Sequence, residues 1–223
     1  MSESTSGSER ITAAQFHRSP GVTDWRVTDT GPQAVFTARS LAHAASLVAP
    51  VVAAAERCGV LADIDVRPEG VVVRIPHRDW DGIPAAATDL AASVSQAAAE
   101  LGLTADPSRA QSVGIYIAQH SEADTRPFFM AALGYEGFGE TDAVDPLRCG
   151  PHLAFNPIAG DKPGRGRSHL DIFVPADQAR ARVEAALAAG GRLVDDSRAP
   201  DWWTLASPDN HGIDIAAWTD VVG

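Results

Sequence analysis

His169 and Asp214, an imidazole and a carboxylate able to do proton chemistry, both sit in runs that alternate like strands. In SHLDIFV, His169, Asp171 and Phe173 share one face, while Ser168, Leu170, Ile172 and Val174 take the other. Asp214, Ala216 and Trp218 share a face in the same way, as do His152, Ala154 and Asn156. An imidazole gains and loses a proton near neutral pH, and a neighbouring carboxylate orients it. Arg165 and Arg167 lie in a Gly-rich loop just before His169. They fit an anion clamp, since guanidinium pairs well with carboxylate or phosphate, and they equally fit solvated loop charges. Trp202 and Trp203 point to opposite faces of a strand, so one packs in the core and the other walls a pocket or anchors an interface. Trp203 and Trp218 are the rings expected beside a ligand. Tyr116 shares parity with Gly114, and His211 lies in a turn.

A second stretch, residues 56–89, carries Glu56, Gly59, Val60, Leu61, His77 and Asp89. Glu56 falls near a helix C-terminus, where the helix dipole disfavours an anion, so a local partner such as Arg57 or Arg67 is expected. His77 reads as a strand-end histidine satisfied by Asp79, Asp81 or water. Asp89 reads as a helix-surface acid.

The elements that must position these groups are mixed. In the first part, 11–19 suits a short helix and 33–39 a strand. Ser40 suits the cap of a helix through about Arg57, kinked at Pro50. Residues 62–67 and 71–75 read as strands, and Pro84 suits the first turn of a helix reaching about Leu101. In the second part, strands are expected at 112–118, 153–158, 168–174, 203–206 and 213–218. Helices are expected at 125–133, ending at Gly134, and at 176–189. The halves 111–158 and 167–218 repeat the same order of elements. The fold class is α+β, with a tail at 1–9, a domain at 10–103, a linker at 104–110 and a domain at 111–223.

Composition narrows the partners. The chain has 223 residues, a net charge of −11 and 45% hydrophobic residues. It is long enough for two small domains with real cores. Both halves are acidic, so nucleic acid is not an expected partner. Cys58 and Cys149 have neither metal nor disulfide spacing and read as free thiols. No apolar run approaches the ~20 residues of a membrane span, and MSESTSGSER lacks the apolar core of a signal peptide. A cytoplasmic protein without membrane association is the expectation.

Two resemblances add to this. Residues 10–103, with DWRV, TARSLAHAASLVAPVVAAAERCG, ADIDVR and HRDWDGIPAAATDLA, resemble the pterin-4a-carbinolamine dehydratases. That family has a Glu, a His pair after a Gly, a third His and an Asp. Glu56, Gly59, His77 and Asp89 stand at matching places, but Val60 and Leu61 stand where the His pair belongs. The resemblance implies the dehydratase fold and a pocket without its proton-handling pair. Loss of groups each contributing ~10²–10⁴-fold implies little or no dehydration. A residual dehydration through His77 is the outlying alternative.

Residues 111–220, with RPFFMAALGYEG, LAFNPI, GRGRSHLDIFV, ALAAGGRLVDD and WWTLASPDNHGIDIAAW, resemble the vicinal oxygen chelate superfamily of glyoxalases, bleomycin-resistance proteins and extradiol dioxygenases. This implies paired βαβββ modules cupping a small-molecule pocket. Metal-using members draw ligands from four strands. Here the first offers only Val113 or Gly114. The others offer Asn156, a weak neutral donor for which His152 can substitute, then His169 and Asp214. A divalent metal normally needs about three N or O protein ligands, so a metal and a metal-free pocket both stand open. The resulting expectation is a lyase or isomerase acting in the cup, with His169 as base or metal ligand and Asp214 orienting it or sharing the metal. Asn156, His152, Tyr116, Arg165, Arg167, Trp203 and Trp218 are the candidate ligand contacts. A non-catalytic protein that sequesters a drug or metabolite is the rival, and a homodimer is the expected assembly.

Overall fold

The computed structural model describes residues 9–77, 82–119, 126–157, 168–206 and 212–217. The chain divides into two compact units. One takes the residues up to Val27 and Gly31–Ala110; the other takes Thr28–Thr30 and Gln111–Val221.

The first unit runs β1 (Arg10–Ile11), α1 (Ala13–Arg18), β2 (Trp25–Thr28), β3 (Gly31–Thr37), α2 (Leu41–Ala45), α3 (Val48–Cys58), β4 (Asp63–Arg67), β5 (Gly70–Arg74), β6 (Ile83–Pro84), α4 (Ala87–Glu100) and β7 (Thr104–Ala105). Its sheet has the order β2-β3-β5-β4, with β7 paired to β3. Thr12 and Gln15 close a reciprocal capping box on α1. Ser40 caps α2 by accepting from the His43 backbone N–H.

Pro50 breaks the long helix earlier than expected. Its missing N–H leaves the carbonyl of Ser46 without an i+4 donor, and the helix parts at Ser46–Leu47 into α2 and α3. Pro84 is not in a helix. It pairs with Arg10 in a two-residue bridge, an edge position that needs no proline N–H. Residues 104–110, expected as a linker, are folded backbone: Thr104 and Ala105 pair with Thr37 and Phe36, a 3-10 turn follows at Pro107–Arg109, and Ala110 is buried. By length and composition alone, the stretch Leu41–Cys58, shared between α2 and α3, is a marginal candidate span of 18 residues.

The second unit runs β8 (Ser112–Gln119), α5 (Arg126–Leu133), β9 (Glu136–Phe138), β10 (Asp142–Val144), β11 (His152–Pro157), β12 (Ser168–Val174), α6 (Ala176–Ala188), β13 (Arg192–Asp195), β14 (Trp202–Ala206) and β15 (Gly212–Ala217). The element order βαβββ therefore occurs twice. All eight strands form one sheet, β13-β14-β15-β12-β8-β11-β10-β9, with the two modules joined by the antiparallel β8–β12 pair. The order reads outward the same way from that seam. The short strands β9, β10 and β13 were not legible as strands in the sequence.

One face of this sheet carries the apolar core. Val174, Leu205, Ile215 and Ala217 pack with Ala179 and Val183 of α6. Leu153 and Phe155 pack with Ala143, with Phe129 and Met130 of α5 against them. The opposite parity on the same strands carries the polar groups.

Candidate functional site

The cross-strand register places those polar groups in rows. Asp171 on β12 lies opposite Gly114 on β8 and opposite Asp214 on β15. Gly114 in turn lies opposite His152 on β11, and Asp214 opposite Thr204 on β14. The next row sets His169 opposite Tyr116, and Tyr116 opposite Ala154, which faces Asp142 on β10. Paired residues share a face, so His169, Asp171, Asp214, Tyr116, His152 and Asp142 all rise from one side of the sheet. Among the described residues, these strands bring no Lys or Arg to that side.

His169, Asp171 and Asp214 form a convergent group. One donor atom from each lies within 4.8 Å of the others. His169 Nε2 is 3.1 Å from Asp171 Oδ1 and 3.7 Å from Asp214 Oδ2. Asp171 is 8% exposed, yet its Oδ1 is buried with no hydrogen bond. It is close to the imidazole but poorly aligned with it. Two donor atoms side by side, both facing a third, fit a cation better than they fit each other. The contact with Asp171 raises the His169 pKa above its usual value, partly opposed by burial, with the charges of Asp171 and Asp214 adding to the rise. Burial raises the Asp214 carboxyl. The Asp171 charge adds to that, while the Thr204 hydroxyl and His169 pull the other way. One nitrogen and two carboxylates make a donor set suited to a divalent cation of intermediate hardness.

Tyr116 stacks on His169, with ring centroids 5.5 Å apart. It also leans over Gly114: a Cβ there would meet Tyr116 Cε2 at 3.1 Å and Phe173 Cε2 at 3.5 Å. The Gly114 position on the first strand is therefore roofed by aromatic rings. Burial, then the charges of Asp171, Asp29, Asp142 and Asp214, push the Tyr116 phenol above its usual range, so it remains a hydrogen-bond donor.

His152 belongs to a different arrangement. It is 6% exposed, with Nδ1 3.5 Å from Asp29 Oδ2 and Nε2 3.2 Å from Asp142 Oδ2. Ser112 donates a hydrogen bond to Asp29, Thr141 donates to Asp142, and Phe138 meets the imidazole edge-on. Burial works against a charge on His152, but Asp142 and Asp29 outweigh it and raise its pKa to about 9. Its two nitrogens face different carboxylates, so it does not add to the chelating group.

Several sequence expectations change here. Trp203 does not face the polar side; it packs against the α6 core, because odd positions of β14 point that way. Trp202 takes the polar-face parity, with the Arg198 guanidinium 5.5 Å from its ring centroid. Asn156 lies a row beyond the cluster, opposite Ala118, and is exposed. Arg165, Arg167, His211 and Trp218 lie outside the described residues. Asp171 was on the correct face in the sequence but was not counted as a ligand. Asp29 and Asp142 carried no signal, since nothing local ties either to His152.

In the first unit, Glu56, Val60 and Leu61 line one cavity, and neither His77 nor Asp89 is part of its lining. Asp89 stands exposed in the first turn of α4, where the helix dipole favours an anion. Arg67 pairs with Asp65 at 2.8 Å rather than with Glu56.

Residues 115–216 match a family described as the glyoxalase-like domain. The second unit thus carries a glyoxalase-like domain, and the family match does not extend to residues 10–103. Among solved structures, the chain is similar to a glyoxalase/bleomycin resistance protein/dioxygenase superfamily member from Vibrio splendidus 12B01. That pair shares 14% identity over 48% of this chain and 99% of the other, with a TM-score of 0.34. It is also similar to a protein described as NAD-dependent benzaldehyde dehydrogenase from Legionella pneumophila, with 14% identity over 48% and 99% of the two chains and a TM-score of 0.36. Curated proteins give no match.

Proposed function

We propose that the second unit is a small-molecule enzyme with lyase or isomerase chemistry, using a divalent cation held by His169, Asp171 and Asp214. The observation that carries this is the buried Asp171 Oδ1, which has no hydrogen bond and converges with the other two donor atoms. Such an ion supplies Lewis-acid polarisation of a substrate oxygen. The chain's own groups supply the rest. Tyr116, held protonated, donates a hydrogen bond to a substrate oxygen. Burial raises the Asp214 carboxyl in the free site, so a bound cation would have to displace any proton it carries. Stacking on Tyr116 fixes the His169 ring. Calorimetric titration of untagged full-length protein with Mn²⁺ and Zn²⁺ tests the site. One saturable site, lost in Asp171→Asn, is expected; no saturable binding, or binding indifferent to that substitution, refutes it.

The second reading is a metal-free binding protein that sequesters a small molecule. The aromatic cover of Tyr116 and Phe173 over Gly114 favours it, since it offers a stacking surface where a first-strand ligand would stand. A ligand retained with equal affinity after chelation would select this reading.

For the first unit, the proposal is a dehydratase-like fold without dehydration. Val60 and Leu61 hold and release no protons, and His77 alone does not replace a pair. Normal turnover of a pterin carbinolamine would refute this. Assembly as a homodimer through an exposed sheet edge completes the proposal, and sedimentation equilibrium tests it.

A further inference from the structure

We infer that the first unit holds a small-molecule site of its own: an apolar cavity that takes a hydrocarbon-bearing amine, with the ammonium group at Glu56. The cavity measures about 360 Å³ and opens between the C-terminal half of α3 and the start of β4. Val52, Ala55, Val60, Leu61 and Ile64 supply hydrocarbon walls, and Glu56 is the one charged group in the lining. The size falls within the ~300–1,000 Å³ of ordinary ligand pockets.

Local structure explains why the space exists. α3 turns Val51 and Ala54 inward, which leaves Val52 45% exposed. Gly59 then ends the helix in the left-handed region, with φ of 64°, and the chain doubles back. A Cβ on Gly59 would meet nothing within 4 Å, so the bend stays open on that side. Val60 tucks under while Leu61 stands 57% exposed at the lip. From Leu41 to Ala55 there is no Lys, Arg, Asp or Glu. A helix surface facing only water normally carries such groups, so this face is unusual for a solvated one.

Charge selects the head group. The last carbonyls of α3 give its C-terminus a partial negative charge, and Glu56 adds a full one in the same turn. Among the described residues Glu56 forms no ion pair, and Arg67 is taken by Asp65. A cation is therefore favoured and a carboxylate is repelled. The hydrocarbon at Val60 and Leu61 makes this a place for binding rather than proton transfer.

The test is displacement of the neutral probe N-phenyl-1-naphthylamine from the full chain by octylamine, octanol and octanoate. Saturable probe binding is expected, with octylamine displacing at roughly threefold or more lower concentration than octanol, and octanoate weakest. Glu56→Gln should erase the amine–alcohol difference while octanol is unaffected. Ala55→Trp should fill the cavity and abolish displacement. Leu61→Arg, at an exposed position that folding tolerates, should invert the amine–carboxylate order. The proposal is overturned by any of three results: no saturable probe binding, an amine no better than the alcohol, or an unchanged order in Leu61→Arg.

Discussion

Two histidines rise from the same side of the same sheet, each between two aspartates, and their surroundings make them different devices. His169 presents one nitrogen toward both of its carboxylates, and the three donor atoms crowd together. His152 spends one nitrogen on Asp29 and the other on Asp142, on opposite sides of its ring. The first geometry leaves a shared point to which a cation can bind. The second sets one carboxylate on each nitrogen, which favours the imidazolium over a shared outside cation, although Asp29 Oδ2, like Asp171 Oδ1, is buried without a hydrogen bond. Exposure follows the same division, since the His169 side chain is 41% exposed and His152 is buried. Residue type does not separate the two; the direction of the nitrogens does.

The largest effect should come from breaking the His152 cluster. His152→Ala leaves Asp29 and Asp142 buried without their counter-charge. Removing one partner of a buried ionic group costs about 3–5 kcal/mol. Chemical denaturation at pH 6 should show a loss of that order, whereas His169→Ala should change stability by under about 1 kcal/mol. Equal losses in the two variants would show that the two histidines are held alike.

The same cluster makes a pH prediction. The folded pKa of His152 is raised to about 9, above its usual value of 6.5. Its stabilisation is therefore complete below pH ~6.5 and is lost as pH rises through about 9. The loss across that window should be on the order of 3 kcal/mol and absent in His152→Ala. A stability profile flat from pH 6 to 9.5 would show that His152 is not held as a cation.

Next in size is cation affinity. His169→Ala should weaken Mn²⁺ or Zn²⁺ binding at least about a hundredfold, or about 2.7 kcal/mol. Because the contact with Asp171 raises the His169 pKa above its usual value, cation binding competes with a proton there. Affinity should then rise as pH rises toward and past 7, and buffers of different ionisation enthalpy should reveal the released proton. Affinity that does not depend on pH would place the cation elsewhere.

The His169 cluster was largely legible in the sequence and the His152 one was not, for a physical reason. Strand parity put His169 and Asp171 on one face two residues apart, and parity is a local property. Asp214 came from a resemblance that the fold bears out in its twice-repeated βαβββ order. Asp29, by contrast, meets His152 only through a side-chain contact across a long separation in the chain, which no spacing rule encodes. Trp203 failed for a related reason. Alternation showed that Trp202 and Trp203 oppose each other, but only the docking of α6 decides which face is the core. Pro50 and Pro84 show the same limit at the level of elements. The missing N–H was predictable, but whether the chain answers with a kink, a break or an edge pairing depends on its neighbours.

Gly114 separates the two clusters, and its substitution should have the smallest effect. It lies between Asp171 and His152, whose Cα atoms are thus two strand spacings apart, roughly 10 Å. At that distance, without shared partners, effects usually add to within about 0.5 kcal/mol. A methyl group on Gly114 would press the Tyr116 ring at 3.1 Å, so the ring must shift by a few tenths of an ångström. Gly114→Ala should therefore cost about 1 kcal/mol of stability, at the low end for overpacking. The alkaline loss due to His152 should keep its midpoint, and cation affinity should change by less than about threefold. If the rings over Gly114 instead couple the clusters, both quantities will move together. The stability costs of His152→Ala and Asp171→Asn will then fail to add by more than about 0.5 kcal/mol. Independence would mean that a fixed charge has been built beside a cation site without tuning it, and coupling would mean that Tyr116 transmits the state of one to the other.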